Sequence, residues 1–356
     1  QKMKYRPDDF YEKMRCKTIL NRTVREIKPK QKTVALDDGT EIPYDKLLVA
    51  TGSSPFIPPA EGIETVTNSF TFLSLEDAKK LQQAISADSR VLIVGAGLIG
   101  LKCAEGIHKK VGSITVIDLA PRILSSIMDE EGAQMVQQHI EKFGVQFLLS
   151  CSVKKFDGNR AHLSNGQIVD FDVLVMAVGV RPNVDLVKNI GGKVNRGIIT
   201  DEFMETSIPD IYAAGDCTES MDISADTNRV LALLPNASMQ GECAGINMAG
   251  GTKTFCKAIP MNAIGFMGLH MITAGSYIGE TYTEMEAGNY KKLFVKDGLL
   301  KGYIMIGNVD KAGIYTSLIR DKVPLDTVDF ELIRKKPSLM AFSMEHRRVK
   351  LGGVAR

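Results

Sequence analysis

Apolar and polar positions along this chain fall into a few recurring patterns, and the places where the pattern changes mark its elements. Short runs rich in β-branched residues at 91–94, 114–118 and 173–178 carry almost no polar positions, the signature of strands buried on both faces of a parallel sheet. Between and after the first two, LIGLKCAEGIHKK (98–110) predicts a helix that stops before Gly112, and DEEGAQMVQQHIEKFG (129–144) an amphipathic helix with acids in its first turn and Gly144 at its end. VQFLLSC then predicts another strand. After residue 200 a strand is expected at 211–214, followed by a helix over LLPNASMQGECAGINMAG (233–250), entered through Pro235 and Asn236. Its small residues Ala237, Ser238, Gly241, Ala244 and Gly245 suit close packing against a partner or ligand. From Phe255 onward hairpins take over. YKKLFVKDGLLKGYIMIG (290–307) reads as strand, D-G turn and strand, and DKAGIYTSLIRDKV (310–323) as an amphipathic helix with Ile314, Leu318 and Ile319 on one face. The charged run EHRRVK (345–350) reads as a solvated end.

The pattern repeats itself. KTVALDDGTEIPYDKLLVATGSSP (32–55) and NRAHLSNGQIVDFDVLVMAVGVRP (159–182) align without a gap at a constant offset of 127. Leu36 meets Leu163, Gly39 meets Gly166, Asp45 meets Asp172, Ala50 meets Ala177, Gly52 meets Gly179 and Pro55 meets Pro182. Each copy predicts a hairpin, then an apolar strand ending in A-x-G. Two related nucleotide-binding folds are therefore expected in one chain.

The second copy has its own glycine fingerprint. Gly95, Gly97 and Gly100 follow a strand and open a helix in G-x-G-x-x-G spacing, the context that makes this otherwise weak motif informative. Gly95 is expected to allow the tight turn, Gly97 to let the backbone reach a pyrophosphate, and Gly100 to let helix and strand pack. The first helical residues, Leu98 and Ile99, offer N–H groups at the positive end of the helix dipole. Asp118 stands eighteen residues after Gly100, close to the spacing of the acid that binds a ribose hydroxyl pair. A carboxylate there repels a 2′-phosphate, which favours NADH over NADPH, and the nearby Arg122 weakens that preference. Subtracting the offset from Gly95 puts the first copy's fingerprint upstream of residue 1, so the natural polypeptide is expected to extend at least about forty residues further in that direction.

Composition narrows the class. With 356 residues the chain accommodates two or three domains, and 44% hydrophobic with 24% charged residues is ordinary for a globular protein. A net charge of +2 gives no nucleic-acid footprint. No apolar run reaches membrane-spanning length. The six cysteines are scattered, without a C-x-x-C pair, so neither a metal site nor a dithiol motif is expected, and a cytoplasmic location suits unpaired thiols. His108 and His139 read as surface histidines.

ATG at 50–52, GAGLIG at 95–100, AVGVRPN at 177–183 and AAGDC at 213–217, in this order, resemble the FAD-dependent pyridine nucleotide-disulfide oxidoreductases. The resemblance is narrower toward the branch of NADH oxidases, rubredoxin reductases and nitrite reductase flavin domains, through LLPNASMQGECAGINMAG and IGNVDKAGIYTSLI (306–319). It implies an α/β fold of two Rossmann-like dinucleotide-binding domains, the NAD domain inserted in the FAD domain, plus a small C-terminal α+β domain. The expected divisions are 1–84 and 205–254 for FAD, 85–204 for NAD and 255–356 for the C-terminal domain, which in this family forms a homodimer interface. The resemblance further implies FAD contacts at Thr23, Val24, Thr51, Gly52, Gly215, Asp216 and Ala237, with Asp216 accepting from the ribityl hydroxyls, and a place for Gly179 beside the NAD site. Where the family often carries Glu near the nicotinamide, this chain has Lys102. No catalytic side chain is assigned, and none of the cysteines is a candidate thiol.

The implied activity is hydride transfer from NADH to FAD, with electrons passed to oxygen, a small iron protein or a disulfide. The other reading is an NAD-binding sensor without flavin.

Overall fold

The computed structural model describes residues 5–351. Its central sheet has five parallel strands in the order Ser69–Thr71, Val173–Met176, Arg90–Val94, Ser113–Ile117 and Val145–Leu148. The strands Val173–Met176 and Arg90–Val94 are almost wholly buried, as their unbroken apolar runs require. The helices Leu98–Ile107 and Glu130–Glu141 cover the sheet, their apolar faces joining its core at Leu101, Ala104, Val136 and Ile140. Both helices are a turn or so shorter than their sequence patterns, because Lys109, Lys110 and Lys142 face water with no apolar partner to continue them. Asp129 caps the second helix by accepting from the Gly132 N–H at 3.1 Å. The outer strand Ser69–Thr71, which lies before residue 85, carries too short a run to be seen in the sequence.

The 127-residue repeat is structural. Thr33–Leu36 and Arg160–Leu163, Glu41–Pro43 and Ile168–Asp170, and Ser53–Pro55 and Val180–Pro182 are strands at that offset. The preceding strands, Val24–Lys28 and Val153–Asp157, each carry a bulge after their first pair, but sit 129 apart because the first copy's turn is two residues longer. Leu47–Val49 matches 174–176, and the pairing repeats too: Leu47 faces Ile211 and Val49 faces Ala213, as Leu174 faces Ser69 and Met176 faces Thr71. The other edge of Val173–Met176 receives Arg90–Val94, whereas the other edge of Leu47–Val49 has no strand among the described residues.

Between the two parallel sheets, Ser53–Pro55 and Val180–Pro182 pair antiparallel, so that Ser54 faces Arg181, its own counterpart in the repeat. The chain then returns through Ile198–Ile199, Thr218–Asp222 and Thr227–Arg229, and the helix Leu234–Met248 packs on Ile211–Ala213. The C-terminal part is a five-stranded antiparallel sheet, in the order Met261–Phe266, Leu269–Gly275, Leu299–Ile306, Asn289–Lys296 and Glu280–Glu286. It is backed by the helix Ala312–Arg320. The run 345–350 lies in a terminal helix, Met344–Leu351, rather than a plain tail; side chains 346 and 349–351 are outside the described residues.

This sheet is clamped to the nucleotide unit. Phe266, Tyr290, Phe294 and Ile306 join the same core as Leu101 and Val136. Asp129 accepts from Tyr290 at 2.5 Å and Lys292 at 2.8 Å, and Tyr277 donates to the Ile127 carbonyl at 2.7 Å. Burial raises the Asp129 carboxyl, but Lys292, Tyr290 and the cap N–H outweigh it and hold it below its ordinary value. One sequence reading changes here. His139 is not a surface residue: its Nε2 meets the Met267 carbonyl at 3.1 Å. Lys102 pairs with Glu105 and donates to the Gly265 carbonyl at 3.2 Å, while Glu105 accepts from the Met267 N–H at 2.7 Å. Lys102 thus anchors the C-terminal sheet.

Candidate functional site

The fingerprint glycines do three different things. Gly95 turns the chain at φ +116°, and a methyl there would lie 2.3 Å from the Ala177 carbonyl oxygen. At Gly100 a methyl would lie 2.0 Å from the Gly95 oxygen, so this residue sets how closely helix and strand approach. At Gly97 a methyl would meet nothing within 4 Å. Gly97 begins the helix without a side-chain cap, leaving the first N–H groups around Leu98 and Ile99 facing an open crevice. The crevice lies at the C-terminal ends of Arg90–Val94 and Val173–Met176, where strand order reverses, the place where open α/β sheets take ligands. Gly179 lies on its rim, exposed, at φ +110°.

Asp118 follows Ser113–Ile117 and leans toward the loop. Its carboxylate accepts from the Ala96 N–H at 2.6 Å and the Ala120 N–H at 2.8 Å. Both oxygens retain acceptor capacity, so a diol can be bound beside the glycine turn. The Arg122 guanidinium is drawn away to the carbonyls of Met128, at 3.3 Å, and Ser125, at 3.5 Å. That leaves the Asp118 carboxylate as the charged group beside the glycine turn.

The second constellation forms on the first copy of the repeat. The Gly215 loop turns at φ +85° and packs on the first turn of Leu234–Met248, where a methyl on Gly215 would lie 3.7 Å from the Ala237 Cβ. That helix starts with Pro235 in its first turn and no side-chain cap. Asp216 is half-buried, more open than its motif suggests, and its hydrogen bond among the described residues comes from Ser53 Oγ at 3.3 Å. Thr23, Val24 and Thr51 line a cavity of about 310 Å³ together with Leu47–Val49 and Leu186, on the uncovered side of Leu47–Val49. Gly52 lies beside Thr51 at φ +64°. A half-buried carboxylate with acceptor capacity, an uncapped helix start and an apolar cavity suit the polar chain and rings of a flavin.

Gln240 escaped the sequence, and Asn183 entered it only as the end of the AVGVRPN motif. Gln240, 1% exposed, accepts from the Gly215 N–H at 2.7 Å and from Thr218 at 3.1 Å, and donates to Ser220 at 3.1 Å, registering the helix on the loop. Asn183 bonds to Thr51, Gly52 and Ser54. In neither case does local patterning reveal a long-range partner. Four of the six cysteines are buried, and burial pushes the Cys103 thiol up to about 12. No metal-ligand cluster exists among the described residues, nor a helix long and apolar enough to cross a membrane.

Residues 9–241 match the family described as pyridine nucleotide-disulphide oxidoreductase, and residues 260–323 the rubredoxin NAD+ reductase C-terminal domain. The epsilon subunit of NADH-dependent phenylglyoxylate dehydrogenase from Aromatoleum evansii is 31% identical over 333 residues, covering 90% of this chain and 79% of that one. An NADH oxidase of Methanocaldococcus jannaschii is 35% identical over 254 residues, 68% of this chain and 56% of that one, so the chain spans about half of this relative's length. The solved complex of putidaredoxin reductase with putidaredoxin superposes with a TM-score of 0.86 over 99% of this chain and 85% of that one at 21% identity, a likeness of fold. The chain belongs to the pyridine nucleotide-disulphide oxidoreductase family, flavin-dependent oxidoreductases that draw electrons from NAD(P)H.

Proposed function

We propose that the crevice at Gly95–Gly100 binds NADH, that the Gly215 loop and the Thr51 cavity bind FAD, and that the protein passes electrons from the one to the other and on to a small redox protein. The observation that carries this reading is the coexistence of two nucleotide constellations on one internal repeat, joined where Ser53–Pro55 pairs with Val180–Pro182. Held by the Gly215 loop and the Thr51 cavity, a flavin would supply the capacity to take up a hydride, two electrons with one proton, and to pass electrons on singly or in pairs.

The residues of this chain have separate tasks. The N–H groups around Leu98 and Ile99 face the pyrophosphate of the nucleotide, Gly97 allows it to approach, and Asp118 receives the ribose diol. Asp216 accepts from the ribityl hydroxyls, and Thr23 and Val24 line the cavity for the adenine portion. The start of the Leu234–Met248 helix, near Ala237, lends positive potential to the edge of the ring that gains charge on reduction. The division of the chain at 205 and 255 and a homodimer through the C-terminal sheet belong to the same proposal, with the first boundary ahead of Ser69 rather than at 85, because Ser69–Thr71 pairs with Val173–Met176. Asp118, with Arg122 turned away, favours NADH.

A small redox-protein acceptor is supported by the match to the rubredoxin NAD+ reductase C-terminal domain. The test is turnover: the flavin-loaded protein with NADH should reduce a rubredoxin-type acceptor much faster than oxygen. Reduction of oxygen alone at the full rate would reassign the acceptor.

A further inference from the structure

The chain passes between the flavin-side and nucleotide-side sheets along one short ladder. Gly52 to Phe56 runs antiparallel to Gly179–Asn183: the Asn183 N–H donates to the Gly52 carbonyl at 3.0 Å, the strand pairs follow, and the Phe56 N–H donates to the Gly179 carbonyl at 2.9 Å. Ser54 faces its own repeat counterpart, Arg181, at the centre of this ladder, so the two ends are counterparts of each other, yet they differ. At one end stands Phe56, its ring under the Arg181 guanidinium at 3.7 Å. At the other end the counterpart of Phe56 is Asn183. Its Nδ2 donates to the Thr51 carbonyl at 2.8 Å, and its Oδ1 accepts from Ser54 Oγ at 2.8 Å. Its carbonyl accepts from Thr51 Oγ1 at 2.7 Å. The repeat does not demand this amide, since Phe56 closes the equivalent corner. Of the common side chains of this length, only a carboxamide donates to a carbonyl and accepts from a hydroxyl at once.

All three partners belong to the loop that carries Thr51, Gly52 and Ser53, and Ser53 in turn donates to Asp216. The connection leaving the nucleotide unit is therefore tied to the candidate flavin loop itself. We propose that Asn183 is a positioning residue: its side-chain amide staples the nucleotide unit to the Thr51–Ser54 loop and sets the geometry in which dihydronicotinamide meets flavin. The inference rests on the functional reading above. The bonds of Asn183 go to Thr51, Gly52 and Ser54 and not to the glycine turn, so its loss separates binding of NADH from the rate of transfer.

The test compares Asn183→Ala, Asn183→Asp and Ser54→Ala in the flavin-loaded full chain, with hydrogen exchange of residues 51–56 and 179–184 as a readout that needs no turnover. Asn183→Ala is expected to bind NADH within about twofold of the parent by calorimetry, to accept electrons from dithionite unchanged, and to lose about ten- to a hundredfold in the limiting rate of bleaching by NADH. Exchange at both segments should rise. Asn183→Asp, which keeps the acceptor and sets a carboxylate against the Thr51 carbonyl, should be as slow. Ser54→Ala, which removes a single exposed bond, should fall between, and it decides the matter should either Asn183 variant fail to fold. A parent-like bleaching rate together with raised exchange would overturn the positioning role, and unchanged exchange would overturn the staple. A parent protein whose flavin NADH does not bleach would instead refute the functional reading, and exchange would still decide the staple.

Discussion

Alanine at Gly97 and alanine at Gly100 should have opposite consequences. At Gly97 the backbone sits at φ −84°, ψ −174°, which alanine adopts freely, and its methyl would meet nothing within 4 Å. Folding should therefore be unharmed, or aided by about 0.4–1 kcal/mol through a less flexible unfolded chain. NADH binding should suffer, because the methyl lies where the pyrophosphate must reach the helix N–H groups. Losing one or two hydrogen bonds to a charged group, at about 1.5–3 kcal/mol each, weakens binding by at least about tenfold. At Gly100 the methyl would lie 2.0 Å from the Gly95 oxygen, and the helix must shift away from Arg90–Val94. Overpacking of this kind costs about 1–3 kcal/mol, so this variant should melt early as well as bind poorly. Thermal unfolding together with calorimetric titration of NADH reads both quantities; the chain has no tryptophan, so intrinsic indole fluorescence is not at hand. A Gly97→Ala protein that binds NADH like the parent would refute the placement of the pyrophosphate. One that melts several degrees early would refute the view of Gly97 as open space.

Three further outcomes are expected. Asp118→Ala should narrow the preference for NADH over NADPH in stopped-flow bleaching, and an unchanged ratio would assign the discrimination elsewhere. Asp216→Ala should purify pale and recover colour only at high FAD, losing about ten- to a hundredfold in flavin affinity, while calorimetry still finds NADH binding; full retention of flavin would mark the Gly215 loop as an ordinary turn. At the base of the nucleotide sheet, Arg90 donates to Asp172 from its guanidinium at 2.9 and 3.1 Å and from its N–H at 2.8 Å, holding that carboxyl down at about 2. The folded value lies below the unfolded one, so this contribution is complete above about pH 4 and disappears as pH falls through about 2. With the two side chains 50% and 42% exposed, solvent screening reduces it to about 1 kcal/mol or less, the loss expected in urea unfolding of Asp172→Asn at pH 7 and absent near pH 2.

Much of the architecture was legible because it is written locally. The unbroken apolar runs marked the parallel strands, and the 127-residue offset carried the second hairpin and the A-x-G strand onto the first. The offset failed only at Val24–Lys28, where a longer turn absorbs two residues. What stayed hidden depends on partners far away in sequence. Ser69–Thr71 is a strand only because Val173–Met176 offers it an edge. His139 looks like a solvated helix residue until the turn at Gly265–Met267, which also takes Lys102, arrives from the C-terminal sheet. Gln240 and Asn183 are single polar residues whose purpose lies in backbone groups that no periodicity announces.

The central claim is that electrons enter as hydride from NADH and reach a flavin held by this protein. The most direct measurement is anaerobic stopped-flow bleaching of the flavin-loaded protein with NADH and with NADH deuterated at the transferred position. Bleaching should be complete at one NADH per flavin and slowed severalfold by deuterium. A flavin that NADH leaves oxidised, or bleaching indifferent to deuterium, would contradict it.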